Sequence, residues 1–225
     1  MLLSHIHPPC TIAKETPQYP PYRQIRALHT PTTITVYQAY RPSIASAAIA
    51  TQSFTQVPDF KRFRMTWIKP SFLWMAYRSG YARKNGQERV LAIEIWRTGF
   101  EWALQHACLS HEPLDATEQE VKVWKGRMEK MPVRVQWDPE RDLWGRPLAW
   151  RSLQVGLKGE AVERYIAEWI VGIQDVTGLM RAVGDRVEGG DVEGAMRLLP
   201  GEGTFELEGG VGRGIGIYVQ NKAVG

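Results

Sequence analysis

The sequence predicts a single α+β domain with a mixed or mainly antiparallel sheet and several packed amphipathic helices. Three observations predict it. The 225 residues fit the size of one domain, and 44% of them are hydrophobic, enough to build one core. Runs with period-two alternation and runs with helical spacing both occur, but irregularly, without the evenly spaced units of a doubly wound sheet. No internal repeat is visible that would make the chain an array.

Residues 1–23 carry HPP and TPQYPPY with little apolar periodicity and read as a flexible Pro-rich lead-in. ThrIleThrValTyr at 33–37, β-branched and aromatic after the turn-forming HTPTT, is the first strand. Pro42 opens a helix in which Ile44, Ala47, Ala48 and Thr51 share a face. A second helix, PSFLWMAYRSG, starts at Pro70 and stops at Gly80; Phe72, Met75 and Ala76 face the core, while Trp74 and Arg78 lie on another side. A strand covers 89–96 with Leu91, Ile93 and Ile95 on one face, and a helix then buries Phe100, Ala103, Leu104, Ala107 and Cys108. Thr117 and Glu120 form a capping-box pattern ahead of Val121, Trp124 and Met128. Strands 132–138 and 151–157 alternate apolar and polar residues and pair across the connection between them. The strongest helical signal runs through Val162, Tyr165, Ile166, Trp169, Ile170 and Ile173. Asp191 caps a last short helix. The glycine-rich stretch 201–225 reads as a loose, dispensable tail, which leaves 24–200 as the folded domain.

Several classes are excluded by what is missing. Charges interrupt every apolar run well short of the roughly 20 residues a membrane helix needs, so no membrane partner is expected. Cys10 and Cys108 cannot make a disulfide framework, and the opening MLLSHIHPPC lacks the features of a secretory signal. A cytoplasmic location is expected, with the nucleus as the alternative. His106 and His111 straddle Cys108 without a further ligand, so no metal site is expected. GxxxxGK[ST], HExxH and GxSxG are absent, and GlyGlyValGlyArgGlyIleGly at 209–216 has no strand and helix around it to make a dinucleotide loop.

The charge is uneven. Between Phe60 and Phe100 nine Lys or Arg face two acids, whereas between Asp175 and Gly210 eight acids face three arginines. Opposite fields at two ends of the domain would favour a small anion over a long polyanion.

Three clusters mix basic, aromatic and amide side chains. The first supplies Tyr37, Gln38, Tyr40 and Arg41; the second Arg64, Thr66, Trp67, Lys69, Ser71, Trp74 and Arg78; the third Gln136, Asp138, Glu140, Arg141, Arg151 and Gln154. Guanidinium and ammonium groups beside indole and phenol rings are the types that hold a phosphate and stack a base. Core packing and ion pairing with Asp138 and Glu140 would account for any one of them singly.

The stretches TVYQAYRPSIA, RMTWIKPSFLWMAYRSGYARK, VLAIEIWRTGFEWAL, PVRVQWDPERDL, RSLQVGLKGEAVERY and WIVGIQDVT resemble, block after block, the bacterial and fungal family catalogued as domain of unknown function 4291. The blocks span roughly Ile25 to Leu199. The resemblance implies a common fold and transfers no activity.

Two functions are expected from the residues. The first is a nucleotide-binding enzyme, an ADP-ribosyl-transferase-like group transferase using NAD. The layout of a polar first strand, a basic-aromatic segment and later paired strands is similar at fold level to NAD-using transferase domains. In it Glu140 and Gln154 are catalytic, Glu140 as the carboxylate beside the positive charge that builds on the ribose; Arg64 and Lys69 hold the pyrophosphate, and Tyr37 or Trp67 stacks on a ring. The alternative is a non-catalytic module for RNA or single-stranded nucleic acid using the same side chains.

Overall fold

The computed structural model describes residues 20–112, 116–207 and 211–217. Residues 1–19 of the Pro-rich lead-in and 208–210 and 218–225 of the glycine-rich stretch lie outside the described residues.

The elements run β1 (Arg26–Ala27), β2 (Thr33–Tyr40), α1 (Pro42–Thr51), β3 (Thr66–Ile68), α2 (Phe72–Ser79), β4 (Arg89–Trp96), α3 (Arg97–Gln105), β5 (Ala107–Leu109), α4 (Glu118–Lys130), β6 (Val133–Arg141) and β7 (Pro147–Leu157). After these come α5 (Glu160–Arg164), a π-helical turn (Tyr165–Trp169), β8 (Ile170–Asp175), α6 (Thr177–Glu188), α7 (Val192–Leu198), β9 (Gly203–Thr204) and α8 (Val211–Gly214). The architecture is α+β, in three sheets ordered β1-β9, β2-β4-β8 and β3-β7-β6-β5. Every strand pair is antiparallel except β5 with β6. No helix among the described residues is long and apolar enough to cross a membrane.

Strand alternation places the core. Val36, Ile93, Ile95, Val133, Val135, Leu153, Val155 and Leu157 turn inward, and the main cluster forms between them and Ala45, Ala48, Phe100, Tyr165 and Trp169. A second cluster, with Tyr37, Phe72, Met75, Val90, Met180 and Val183, joins α2 and α6 to β2 and β4. The larger sheets meet where the Tyr37 amide donates to the Lys69 carbonyl at 2.7 Å and the Gln38 side chain donates to the Trp67 carbonyl at 3.1 Å.

Several sequence expectations are met closely. β6 and β7 pair antiparallel, with Gln136 opposite Gln154 and Asp138 opposite Ser152. Thr117 and Glu120 make both arms of the capping box, and the Asp191 carboxylate accepts from the Gly194 amide at 2.9 Å.

Others are corrected. The helix expected to begin at Pro70 begins at Phe72, with Ser71 as N-cap accepting from the Trp74 amide. Ala107 and Cys108 leave the helix pattern and join β5, because the edge of β6 offers backbone partners to a short apolar run. The helical pattern of 162–173 breaks at Ile170: Ile170, Val171 and Ile173 are β-branched and Gly172 is a glycine, and the segment pairs with β4 as strand β8. α6 is an element that the sequence patterns above do not predict. The basic segment and the acidic one do not form opposite ends; Arg83 pairs with Asp185 and Glu188, and Arg89 with Asp175.

The reading of 201–225 as a loose tail and of 1–23 as a free lead-in is also corrected for the described parts. β9 pairs with β1, Phe205 is 3% exposed and Ile215 fully buried. The Trp137 indole N–H donates to the Ile215 carbonyl at 2.7 Å, and Arg23 donates to the Gly216 carbonyl at 3.1 Å.

Trp169 lies directly on α3 at Gly99, where a Cβ would stand 2.4 Å from the indole Cγ. Gly99→Ala is therefore expected to destabilise the protein by about 2 kcal/mol through displacement of a buried ring. Urea denaturation reads it, and an unchanged midpoint contradicts this packing.

Candidate functional site

The inward faces of β6, β7 and β3 serve the core, so their other face collects the polar residues by alternation. On β6 these are Gln136 and Asp138, and on β7 Ser152 and Gln154. Next along β7 comes Gly156, opposite Trp67 of β3. A Cβ on Gly156 would lie 3.0 Å from the six-membered part of the Trp67 ring, so the glycine lets the indole lie against the strand.

Asp138 is shared between two amides: Gln136 donates to Oδ1 at 2.9 Å and Gln154 donates to Oδ2. Beyond β3 the chain turns through Lys69 into α2. Lys69 is 7% exposed, and its ammonium donates to the Trp67 carbonyl at 3.1 Å. Burial, with repulsion from Arg78 and against the attraction of Asp138, lowers its pKa to about 7. Near neutral pH this amine is poised between its two charge states.

The neighbouring end of the face holds two carboxyls. Glu140 is 7% exposed and accepts from the Arg141 amide at 2.8 Å. Burial pushes its pKa up, against the Arg141 amide, the hydroxyls of Ser71 and Ser152, and Arg26. Glu202 accepts from the Phe72 amide at 2.7 Å, in the first turn of α2. Although Glu202 as a residue keeps some exposure, its carboxyl is turned inward against this amide, and burial together with Glu140 raises its pKa to about 8, opposed by the Phe72 amide and Arg26. Burial pushes both carboxyls towards their protonated forms, and Glu140 adds its repulsion to Glu202.

The sequence-selected residues divide accordingly. Trp67, Gln136, Asp138 and Gln154 come together on the polar face, with Lys69 within electrostatic reach of Asp138 and of the exposed Arg78 of α2, and with Ser71 and Glu140 at its end. Gln38 sits at the seam between the sheets, donating to Trp67 and accepting from the Tyr165 hydroxyl at 2.8 Å. Tyr37 and Thr66 are buried; Tyr37 packs edge-on against Phe72, and burial and Glu202 push its phenol up.

Six selected residues are placed apart from this cluster. Tyr40 is core, its ring against Phe54 and Phe60. Arg41 and Arg64 are exposed, Arg41 at the start of α1, and Arg64 has no side-chain partner among the described residues. Trp74 is buried, with an edge-on contact to Tyr77. Arg141 covers the Tyr77 ring at 3.9 Å, and Arg151 donates to the Tyr22 hydroxyl at 2.7 Å. Glu202, Arg26 and Ser152 were not selected. Ser152 was legible in the alternation of β7, but Glu202 stands in a glycine-rich run with no local signal.

A cavity of about 650 Å³ lies elsewhere, over β2-β4-β8, and of the selected residues only Tyr37 lines it.

A family model described as Domain of unknown function (DUF4291) matches residues 24–205. No curated protein matches the chain.

Proposed function

The chain belongs to the DUF4291 family, and we propose that it is a nucleotide-binding group transferase, ADP-ribosyl-transferase-like, that works on the polar face of β3-β7-β6 with NAD as donor. The observation that carries this reading is the buried Lys69, coupled to Arg78 and Asp138 and next to the Trp67 indole. An anion arriving between Lys69 and Arg78 favours the charged ammonium, so phosphate binding takes up a proton. The Trp67 ring offers a stacking plane and the amides of Gln136 and Gln154 a polar floor.

The chemistry then falls to Glu140. As the bond between nicotinamide and ribose breaks, nicotinamide leaves with the electron pair and positive charge builds on the sugar, to be captured by an acceptor that loses a proton. An ionised carboxylate stabilises that charge. Glu202, held on the Phe72 amide near Glu140, is the second carboxyl at this end of the face.

Titration calorimetry with NAD, ATP and a single-stranded RNA tests the reading. Arg78→Ala is expected to weaken nucleotide binding about tenfold or more, the worth of one charge-assisted contact. Glu140→Gln is expected to retain binding and lose NAD turnover, because it acts on charge that develops only in the transition state. Tight RNA binding with a steep salt dependence and no nucleotide signal would assign the face to a nucleic-acid module instead.

A further inference from the structure

The three-stranded sheet has a second face with a different chemistry. Register aligns Thr35 with Glu94 and Glu94 with Gly172, and in the next row Tyr37 with Ala92 and Ala92 with Gln174. The two small residues hollow the floor of the cavity of about 650 Å³, within the size range of small-molecule sites. A Cβ on Gly172 would meet nothing closer than 3.9 Å. Apolar walls come from three directions, Phe72 from α2, Leu179 from α6, and Leu198 and Pro200 from the end of α7, and His29, Thr30 and Gln52 add polar groups to the lining.

Charge selects the ligand. Glu94 is the carboxylate in the lining, which contains no lysine or arginine; its one histidine, His29, is engaged through Nε2 with the Thr204 carbonyl at 3.0 Å. The Thr33 hydroxyl donates to Glu94 Oε1 at 2.6 Å, which fixes the side chain in place. Thr35 and Gln174 have no side-chain hydrogen bond among the described residues; Thr35 stands beside Glu94 in the floor and Gln174 in the next row, on the other side strand. Phosphate is disfavoured here, in contrast to the Lys69 face. We infer that this cavity is a binding site for a small organic amine: a cation anchored on Glu94, with Thr35 and Gln174 as further polar partners and an aromatic or aliphatic body between Phe72, Leu179 and Leu198. The inference stands apart from the nucleotide reading and shares no charged group with it.

Tryptamine and indole-3-acetate have the same ring and opposite charge, and calorimetry on the full chain separates them. Tryptamine is expected to bind at least about tenfold more tightly than the acetate, the effect of one charge-assisted hydrogen bond. Glu94→Gln, which keeps an acceptor for Thr33, is expected to weaken tryptamine by a similar factor, and Gly172→Leu to abolish its binding by filling the floor. NAD affinity is expected to be unchanged in both variants, so loss of NAD binding in the parent protein leaves this test intact. If Gly172→Leu fails to fold, Glu94→Gln alone decides. Equal affinity for the two indoles, tryptamine binding indifferent to Glu94→Gln, or no saturable binding of tryptamine overturns the inference.

Discussion

A chain ending at Pro200 is expected not to fold. Phe205 occupies the space between His29 and Phe100, edge-on to both at 5.5 and 5.4 Å, with the Arg97 guanidinium 4.4 Å from its centroid. Its removal alone is worth about 3–5 kcal/mol by analogy with buried phenylalanines elsewhere. The same truncation deletes β9, so that β1 loses its partner, and removes Ile215, whose carbonyl satisfies the buried Trp137 indole. It also takes Glu202 from the start of α2. These losses together exceed much of the 5–15 kcal/mol by which a domain of this kind is stable. Circular dichroism and thermal melting of the truncated chain check it, and Phe205→Ala, expected to fold with a lowered melting temperature, separates the core contact from the rest. A cooperative melt near that of the full chain after truncation at Pro200 would show that the C-terminal segment only decorates the domain.

The glycine-rich composition of this segment explains why its role was not legible. Glycine content reports backbone freedom in the unfolded chain, whereas Phe205 and Ile215 are isolated apolar residues whose partners, Phe100 and Trp137, are far away in sequence. Where signals were local they were read correctly: the alternation of Val133, Val135 and Trp137 fixed which face of β6 is polar, and with it half of the site. Elements failed where two periods fit the same residues. Ile170 and Ile173 continue the helical spacing of Tyr165 and Trp169, yet the open edge of β4 recruits them as a strand. The coupling of Lys69 to Asp138 and of Glu140 to Glu202 is set by tertiary contact and has no counterpart in spacing.

Two of the buried ionisable groups, Glu202 and Lys69, give the stability of the protein an unusual dependence on pH. Glu202 has its pKa raised from 4.5 to about 8. Between those values the folded chain holds a proton that the unfolded chain has released, so its contribution is complete below pH 4.5 and is lost as pH rises through 8. Lys69 is displaced the other way, from 10.5 to about 7, so between these values the unfolded chain holds the extra proton and stability rises with pH. Their sum falls from about pH 5 to 7, is level where the two windows overlap, and rises again above 8. Glu202→Gln keeps the acceptor for the Phe72 amide and cannot ionise, so it is expected to remove the acidic limb. At about 1.4 kcal/mol per pKa unit the limb has a ceiling of about 5 kcal/mol, and about 3 kcal/mol is expected because Glu202 retains some exposure. Melting temperatures at half-unit steps from pH 5 to 9 resolve it: the variant should match the parent at pH 5 and exceed it at pH 8. A variant whose profile parallels the parent throughout would mean that Glu202 is ionised in the folded protein.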